Sequence, residues 1–504
     1  MTHVLSLLLA LPFFGMLIVA GIHREKTTAI RAVGIAVSIL ALLLSLVIWF
    51  LFDRGSGTLQ FTEHGQWFTF PLPGLEPFQS GPSVTLVRVG YDLGVDGLSL
   101  PLLAMSTLVA AAAMVASWRT VERVKAYTLW FLLLEAGVNG IWTAQNLLLF
   151  FIFFELALIA LFFLVGIWGS EGRVRAAYEL LLYNGLGSLV MLIVFVALFL
   201  ATGTSDIREI RAAFERQALP PGEQMWLIIG LLVAFGIKLP IFPFHTWVKN
   251  VHPVASAPVS MMLSGVLLKV GAYGLIRFAL GFFPETFARL APLLVALGLI
   301  NVFYGALLAF VDRDFKRIIA YSSISQMGIV LLGLAALNQI GLLGALFQLV
   351  SHGLISALLF FLAGVTYAET HTSSLDRLSG LGARMPRTAG FLMFAALASL
   401  GVPLLSGFVG EWLALLGLFT TPFRPFAIIG ALSIVTSALY ILRAVMRAMH
   451  GPLPDALAHV QDARSADMAP IAALSLGIVL LGVFPFLMGD LAHASLAAIE
   501  ALPS

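Results

Sequence analysis

About fourteen times between residues 2 and 488 the chain stays apolar long enough to cross ~30 Å of hydrocarbon as a helix. The runs fall near 2–21, 29–52, 93–117, 127–144, 146–169, 177–203, 225–247, 254–281, 286–311, 316–336, 339–369, 388–421, 425–449 and 469–488. Lipid offers backbone N–H and C=O groups no partner, so each run has to close its hydrogen bonds within itself. The expected fold class is an all-α polytopic membrane protein. With 60% hydrophobic and 11% charged residues, nothing between the spans is large enough for a soluble domain. The N-terminal run MTHVLSLLLALPFFGMLIVAGIHREK has its first Lys or Arg after the apolar stretch, which reads as a retained first span. The longest connection, Asp53 to Asp92, contains GLEPFQSGPS and is expected to lie over one face as irregular or hairpin structure.

Charge divides the loops. Taking them alternately, eighteen of the 28 Lys and Arg residues gather on one side, from Arg24 through Arg119 and Lys316 to Arg464, and eight on the other. The positive-inside rule puts the larger set in the cytoplasm and both termini outside, which requires an even number of spans. The near-neutral balance of 28 Lys+Arg against 26 Asp+Glu carries no nucleic-acid signature. Zero cysteines exclude disulfides and thiolate-held clusters, and ten scattered histidines make no metal cage. No phosphate-binding loop, nucleophile triad or zinc motif is visible.

The two remaining lysines, Lys238 and Lys269, lie inside apolar runs, where burying an ammonium costs roughly 2.5–3.5 kcal/mol. They flank three helix-breaking prolines, Pro240, Pro243 and Pro253, and two histidines, His245 and His252, for which capping or turn roles compete with a proton path. Broken backbone at membrane depth persists only within protein or beside a water-filled cavity. GIKLPIFPFHTW (Gly236 to Trp247) has a counterpart in GVPLLSGFVGEW (Gly401 to Trp412), each an interrupted apolar helix with one buried charge. Matching breaks point to inverted repeats around a midplane site. The expected organisation is an N-terminal three-helix flank (1–126), two five-helix repeats (127–281 and 282–449), and a C-terminal loop with one last helix (450–504).

The intramembrane ionisable groups are Glu135, Glu155, Lys238, Lys269, His352 and Glu411. Glu155 is nine residues from Asn146, ~13 Å into its span, and its helix offers it no polar partner. An unpaired carboxylate and an unpaired ammonium are each costly there, so Glu155 and Lys238 are expected close together, as a working pair or as a static bridge between helices. Lys269 has no carboxylate on its own helix, and His352 is a lone imidazole of a kind that titrates near pH ~6.5. Glu411 follows SGFVG at the second break, where freed backbone and water can meet it. Glu135 stands beside Asn139 and reads equally as a structural acceptor or a relay member.

Five stretches carry a family resemblance: LGVDGLSLPLL (Leu93 to Leu103), FFELALIALFFLVGIWG (Phe153 to Gly169), the GIKLP…PFHTW…LLK…AYGLIRF region, DFKRIIAYSSISQMG (Asp314 to Gly328) and SGFVGEW. Together they resemble the antiporter-like membrane subunits of respiratory complex I, from about Asp92 to Arg447. A glutamate at position 411 resembles the M-type, chain-4 branch, since the L- and N-type relatives and Mrp antiporter subunits commonly carry lysine there. The resemblance implies fourteen helices with two inverted repeats and broken seventh and twelfth helices. It also implies proton translocation driven by quinone reduction elsewhere in a NADH:quinone oxidoreductase of the bacterial inner membrane. By the same resemblance Glu155 and Lys238 form a pair, Lys269 is the central lysine, His352 the bridging histidine, Glu411 the terminal group and Glu135 the carboxylate of the fourth helix. The chain is expected to bind no cofactor; NADH, FMN, iron–sulfur clusters and quinone belong to other subunits, and L-, N- and K-like chains and lipid are the expected partners. Where many members read SHMG, this chain has Gln326, which is expected at most to orient a water between Lys269 and His352. The alternatives are an Mrp-type cation/proton antiporter subunit, the matching subunit of a membrane-bound hydrogenase, or an inert membrane scaffold.

Overall fold

The computed structural model describes residues 3–72, 85–216 and 219–500. Helices α1 (Val4–Gly21) and α2 (Thr27–Leu51) lead into a two-stranded antiparallel hairpin, β1 (Gln60–Leu72) and β2 (Thr85–Val95). Then come α3 (Ser99–Ala116), α4 (Val124–Thr143), α5 (Leu147–Trp168), α6 (Arg173–Thr202) and the short α7 (Ile207–Arg216). The first broken region holds α8 (Pro221–Lys238), α9 (Val248–Val254), α10 (Ala257–Met262) and α11 (Leu268–Gly274), with π-helical turns at Leu263–Leu267 and Leu275–Leu280. After α12 (Pro284–Ala288) run α13 (Ala291–Val311), α14 (Phe315–Ala335) and α15 (Gln339–Thr370). The second broken helix is α16 (Pro386–Ser399) with α17 (Ser406–Phe419), followed by α18 (Arg424–Ala431), α19 (Ser433–Met449), α20 (Ser465–Val483) and α21 (Phe486–Glu500).

Eleven helices among the described residues are long and apolar enough to cross a membrane. The other three expected spans fall on α4, on the α8 break and on the α16/α17 break. Of the irregular or hairpin structure expected between Asp53 and Asp92, the described residues form a hairpin, β1–β2, and the GLEPFQSGPS stretch lies outside the described residues. One expectation fails: the single last helix near 469–488 is two helices, α20 and α21. They are divided at Pro485, whose missing N–H cannot continue the first but suits the start of the second. Helix α21 lies against the entry to α3, where Ser495 Oγ accepts from Gly97 N at 2.9 Å. A Cβ on Gly97 would come within 2.0 Å of the Leu491 carbonyl, so only glycine admits this approach.

Asparagine and aspartate start three inner helices by capping free N–H groups: Asn146 on α5, Asp314 on α14 and Asn338 on α15. Burial sorts the spans into two shells. The most apolar windows of Ala257–Leu280, Phe315–Ala335 and Gln339–Thr370 are wholly buried, whereas α1, α2, α6, α13 and α20 bury less than half of theirs, as lipid-facing helices do. The inner helices meet through small residues: a Cβ on Gly353 would lie 2.8 Å from the Gly265 carbonyl and 2.7 Å from Met105 Sδ.

A buried ion pair closes the end of α3. Arg277 grips Asp96 with both terminal nitrogens, at 2.7 and 2.8 Å, and its Nε donates to the Tyr273 hydroxyl at 3.1 Å. Asp96 also accepts from Ser99 N, at the first residue of α3, at 3.0 Å. At the opposite end Arg119 ties α3 to Asp467 of α20 and to Glu369 of α15, the latter at 3.8 Å. Breaking the first pair leaves one charge buried alone, so Asp96→Ala should cost about 3–5 kcal/mol. It should lower the thermal unfolding midpoint in detergent, and adding Arg277→Ala should recover part of the loss. Asp96 lies just outside the span that begins at Ser99; burial alone would raise its carboxyl, but the Arg277 guanidinium holds it below the usual carboxylate value. The stabilisation is therefore complete above pH ~4 and lost as pH falls through the lowered value. An Asp96→Ala variant whose unfolding midpoint shows the same acid-side decline as wild type would contradict this.

Candidate functional site

Lys238 is the last residue of α8, where the helix stops ahead of Pro240. The break is held by neighbours: Asn301 of α13 accepts from Phe242 N at 2.8 Å and donates to the Pro240 carbonyl at 3.1 Å, and Trp247 Nε1 donates to the Ile237 carbonyl at 3.0 Å. Lys238 is 3% exposed, and its ammonium sits 4.4 Å from the centre of the Phe154 ring. Glu155, next to Phe154 on α5, lies within electrostatic reach of that ammonium, but the two make no direct ion pair. One Glu155 oxygen, Oε1, is buried without a partner among the described residues. The static bridge between helices is thus absent, and the two charges sense each other through space.

Lys269 is fully buried on α11, two residues past a π-helical turn. Its ammonium donates to the Ser264 carbonyl in that turn and lies 2.8 Å from Nδ1 of His352 on α15. Ser264 Oγ in turn lies 3.0 Å from Ser323 Oγ of α14. Close packing fixes the place: a Cβ on Gly271 would come within 2.6 Å of the Phe235 carbonyl, so α11 lies directly on α8. Lys269 and His352 therefore touch, and the expected water with Gln326 beside it is not between them. That expectation is corrected: Gln326 faces Glu411, because α14 turns this residue toward α17 and not toward α11.

At the second break the Gln326 Nε2 donates to Glu411 Oε1 at 2.9 Å and to the Ser399 carbonyl, freed at the end of α16, at 3.3 Å. Gln348 of α15 donates to Gln326 Oε1 at 2.5 Å. The Tyr440 hydroxyl, buried on α19, bonds to Ser437 Oγ at 3.3 Å and faces Gln326 and Glu411. Sequence reading passed over Gln348 and Tyr440; Gln348 stands four residues before His352, on the same helix face, which was the available signal.

Glu135 is fully buried on α4 and accepts from Ser38 Oγ at 2.6 Å, while its other oxygen and the Asn139 amide nitrogen have no partner among the described residues. His245 stacks on Phe242 at 5.7 Å. His252 is fully buried against Phe360, 4.7 Å between ring centres, with neither ring nitrogen hydrogen-bonded among the described residues. It lies within electrostatic reach of Lys269, Lys316 and His352. Lys316, which the loop count placed at the cytoplasmic surface, is 6% exposed and folds its ammonium over the Tyr367 ring. It lines a cavity of about 390 Å³ with Arg119, Arg173, Ser256 and Tyr367. Among the described residues no cluster of three or more His, Cys, Asp or Glu could hold a metal ion.

Residues 144–437 match the family model described as "NADH:quinone oxidoreductase/Mrp antiporter, TM". The chain belongs to this family. Its relatives include "NAD(P)H-quinone oxidoreductase chain 4 1" of Picosynechococcus, 38% identical, with 95% of this chain and 89% of the relative covered. The chain-4 protein of Gloeobacter violaceus is 36% identical over 97% of this chain and 90% of its own. Among solved structures, a chain of respiratory complex I from Thermus thermophilus superimposes with a TM-score of 0.84 at 30% identity, covering 98% of this chain and 99% of that one. The Mrp complex from Dietzia shares the fold, with a TM-score of 0.82 at 24% identity over 98% of this chain and 52% of the other.

Glycine at 401 is a condition of the second break. Its φ is 70°, and a Cβ there would lie 2.7 Å from Glu411 Oε2. Gly401→Ala should cost roughly 1–3 kcal/mol through backbone strain. It should also push the carboxylate away from Gln326; an alanine variant with the thermal midpoint and pumping rate of the wild type would show that neither constraint acts.

Proposed function

We propose that this chain is the proton-translocating, chain-4-type membrane subunit of a NAD(P)H:quinone oxidoreductase, coupling quinone reduction elsewhere in the complex to proton movement. The carrying observation is the series of buried ionisable groups in the enclosed helices, with Lys269 and His352 in contact at 2.8 Å. An inert scaffold has no use for such groups, each of which is costly to bury. The chain-4 relatives support the assignment to this complex. In this reading Glu155 and Lys238 are a coupled pair, Lys269 and His352 exchange a proton at the centre, Glu411 is the terminal group, and Glu135 is a flanking carboxylate on α4. Unit charges 4–8 Å apart at an effective dielectric near 20 interact by about 2–4 kcal/mol, so a proton arriving at one group changes the affinity of the next.

The two five-helix units, 127–281 and 282–449, are proposed as the inverted repeats, supported by breaks at corresponding places that are each held by an amide side chain from a neighbouring helix. The Arg- and Lys-rich side is proposed to face the cytoplasm of a bacterial cell, with both termini outside and other antiporter-like subunits alongside.

In the assembled complex reconstituted into vesicles, Lys269→Ala or Glu155→Ala should slow proton uptake by about 10²-fold or more, the usual effect of removing a proton-transfer group. Glu155→Asp should keep part of it. Glu411→Gln preserves shape and hydrogen bonding but cannot titrate, and should depress uptake more than Glu411→Lys. Wild-type pumping by an assembled Lys269→Ala complex would end this reading, and sodium-dependent proton movement in the same vesicles would favour the Mrp-type alternative.

A further inference from the structure

Two buried amides stand between the central pair and the terminal group without a role. Gln326 and Gln348 are 3% and 2% exposed. Gln348 lies four residues ahead of His352 on α15, about 6 Å along the axis. From Gln348 the contacts run directly: 2.5 Å to Gln326, then 2.9 Å to Glu411. The end of Gln326 that meets the Glu411 carboxylate and the Ser399 carbonyl faces two acceptors, so it is the NH₂ end, and its oxygen is left to accept from Gln348. At these distances no water fits between the groups. Neither amide takes up a proton at neutral pH, so the touching pair interrupts a water-borne path that runs through them from His352 to Glu411.

One atom of this arrangement is unsatisfied. Among the described residues Gln348 Oε1 is buried with no donor, pressed against Gly410, where an added Cβ would lie 2.4 Å away. The closed contact thus carries an unpaired carbonyl that a single entering water would pair, which favours an open, hydrated form as its alternative. The two Glu411 oxygens are also unequal. Oε1 is held by Gln326, whereas Oε2 faces Gly401 at the helix break.

We propose that Gln326 and Gln348 form a gate between His352 and Glu411, closed while the amides touch and open when they part to admit water to the Gln348 carbonyl. This rests on Glu411 being a titrating group. Closed, the gate confines proton exchange at Glu411 to the oxygen at the break; open, it joins Glu411 to His352. The two amides are positioning residues, since they hold the carboxylate and exclude water without carrying the proton.

The assembled complex in proteoliposomes tests this through its passive proton permeability, measured with a pH-sensitive dye and no electron donor. Gln348→Ala and Gln326→Ala leave space for water and should raise the leak several-fold, with the proton gradient reached during turnover reduced and quinone reduction continuing. Gln348→Met, which refills the space without a hydrogen bond, should restore tightness. If the alanine variants fail to assemble, Gln348→Asn, too short to reach Gln326, serves instead and should also leak. Alanine or asparagine variants as tight as wild type would overturn the gate, as would a methionine variant that leaks as they do. Glu411→Gln separates the two readings: wild-type pumping in that variant defeats the role of Glu411 itself, whereas loss of pumping there with tight alanine variants defeats only the gate.

Discussion

An ammonium buried without a countercharge sets the terms for the rest of this molecule. Lys269 meets the Ser264 carbonyl and a ring nitrogen of His352, groups able to accept from it, and no carboxylate pairs with it among the described residues. Its cost, roughly 2.5–3.5 kcal/mol on insertion scales, is tolerable only if those acceptors are held within hydrogen-bond reach and lipid is kept away. The fold meets both demands. Ala257–Leu280 and Gln339–Thr370 are enclosed by other helices, and Gly265 against Gly353 lets their backbones approach closely enough for lysine and histidine to meet. The π-helical turn at Leu263–Leu267 ends two residues before the lysine and presents to it the carbonyl of Ser264, five residues earlier.

The two broken helices solve a second problem in a common way. Each break frees backbone groups that lipid would leave unpaired, and each is satisfied by a carboxamide from an adjacent helix: Asn301 at Pro240 and Gln326 at Ser399. In each case an ionisable side chain stands at the break, Lys238 at the end of α8 and Glu411 in the first turns of α17. The polar atoms that repair the backbone therefore also shape the surroundings of the charge. At the second break one amide does both, which couples the carboxylate to α14 and, through Gln348, to α15.

Much of the fold was legible because a span must be about 20 apolar residues long, and that length is written locally. The terminal helix was misread where the signal was weakest: Phe486–Glu500 carries Asp490 and His493 and is shorter than a span, so only its packing on Gly97 and Gln339 reveals it. The glycines and prolines between Asp53 and Asp92 marked a long connection but left irregular structure and a hairpin equally open, and strand pairing chose the hairpin. The Asp96–Arg277 pair was not, since 181 residues separate its members and nothing local relates them.

The sequence by itself determined which residues would be expensive to bury, and so named Glu135, Glu155, Lys238, Lys269, His352 and Glu411; desolvation is a property of a side chain and its immediate apolar neighbours, and both are local. Only the tertiary structure decided who meets whom. It brought Lys269 directly onto His352, kept Glu155 and Lys238 out of ion-pair contact, and turned Gln326 toward Glu411. The physical reason is that these contacts depend on how helices rotate and approach one another. That is fixed by close packing at glycines such as Gly271 and Gly353, where an added Cβ would meet a neighbouring helix's backbone at 2.6 and 2.8 Å, and no local pattern states which distant surface each glycine will face.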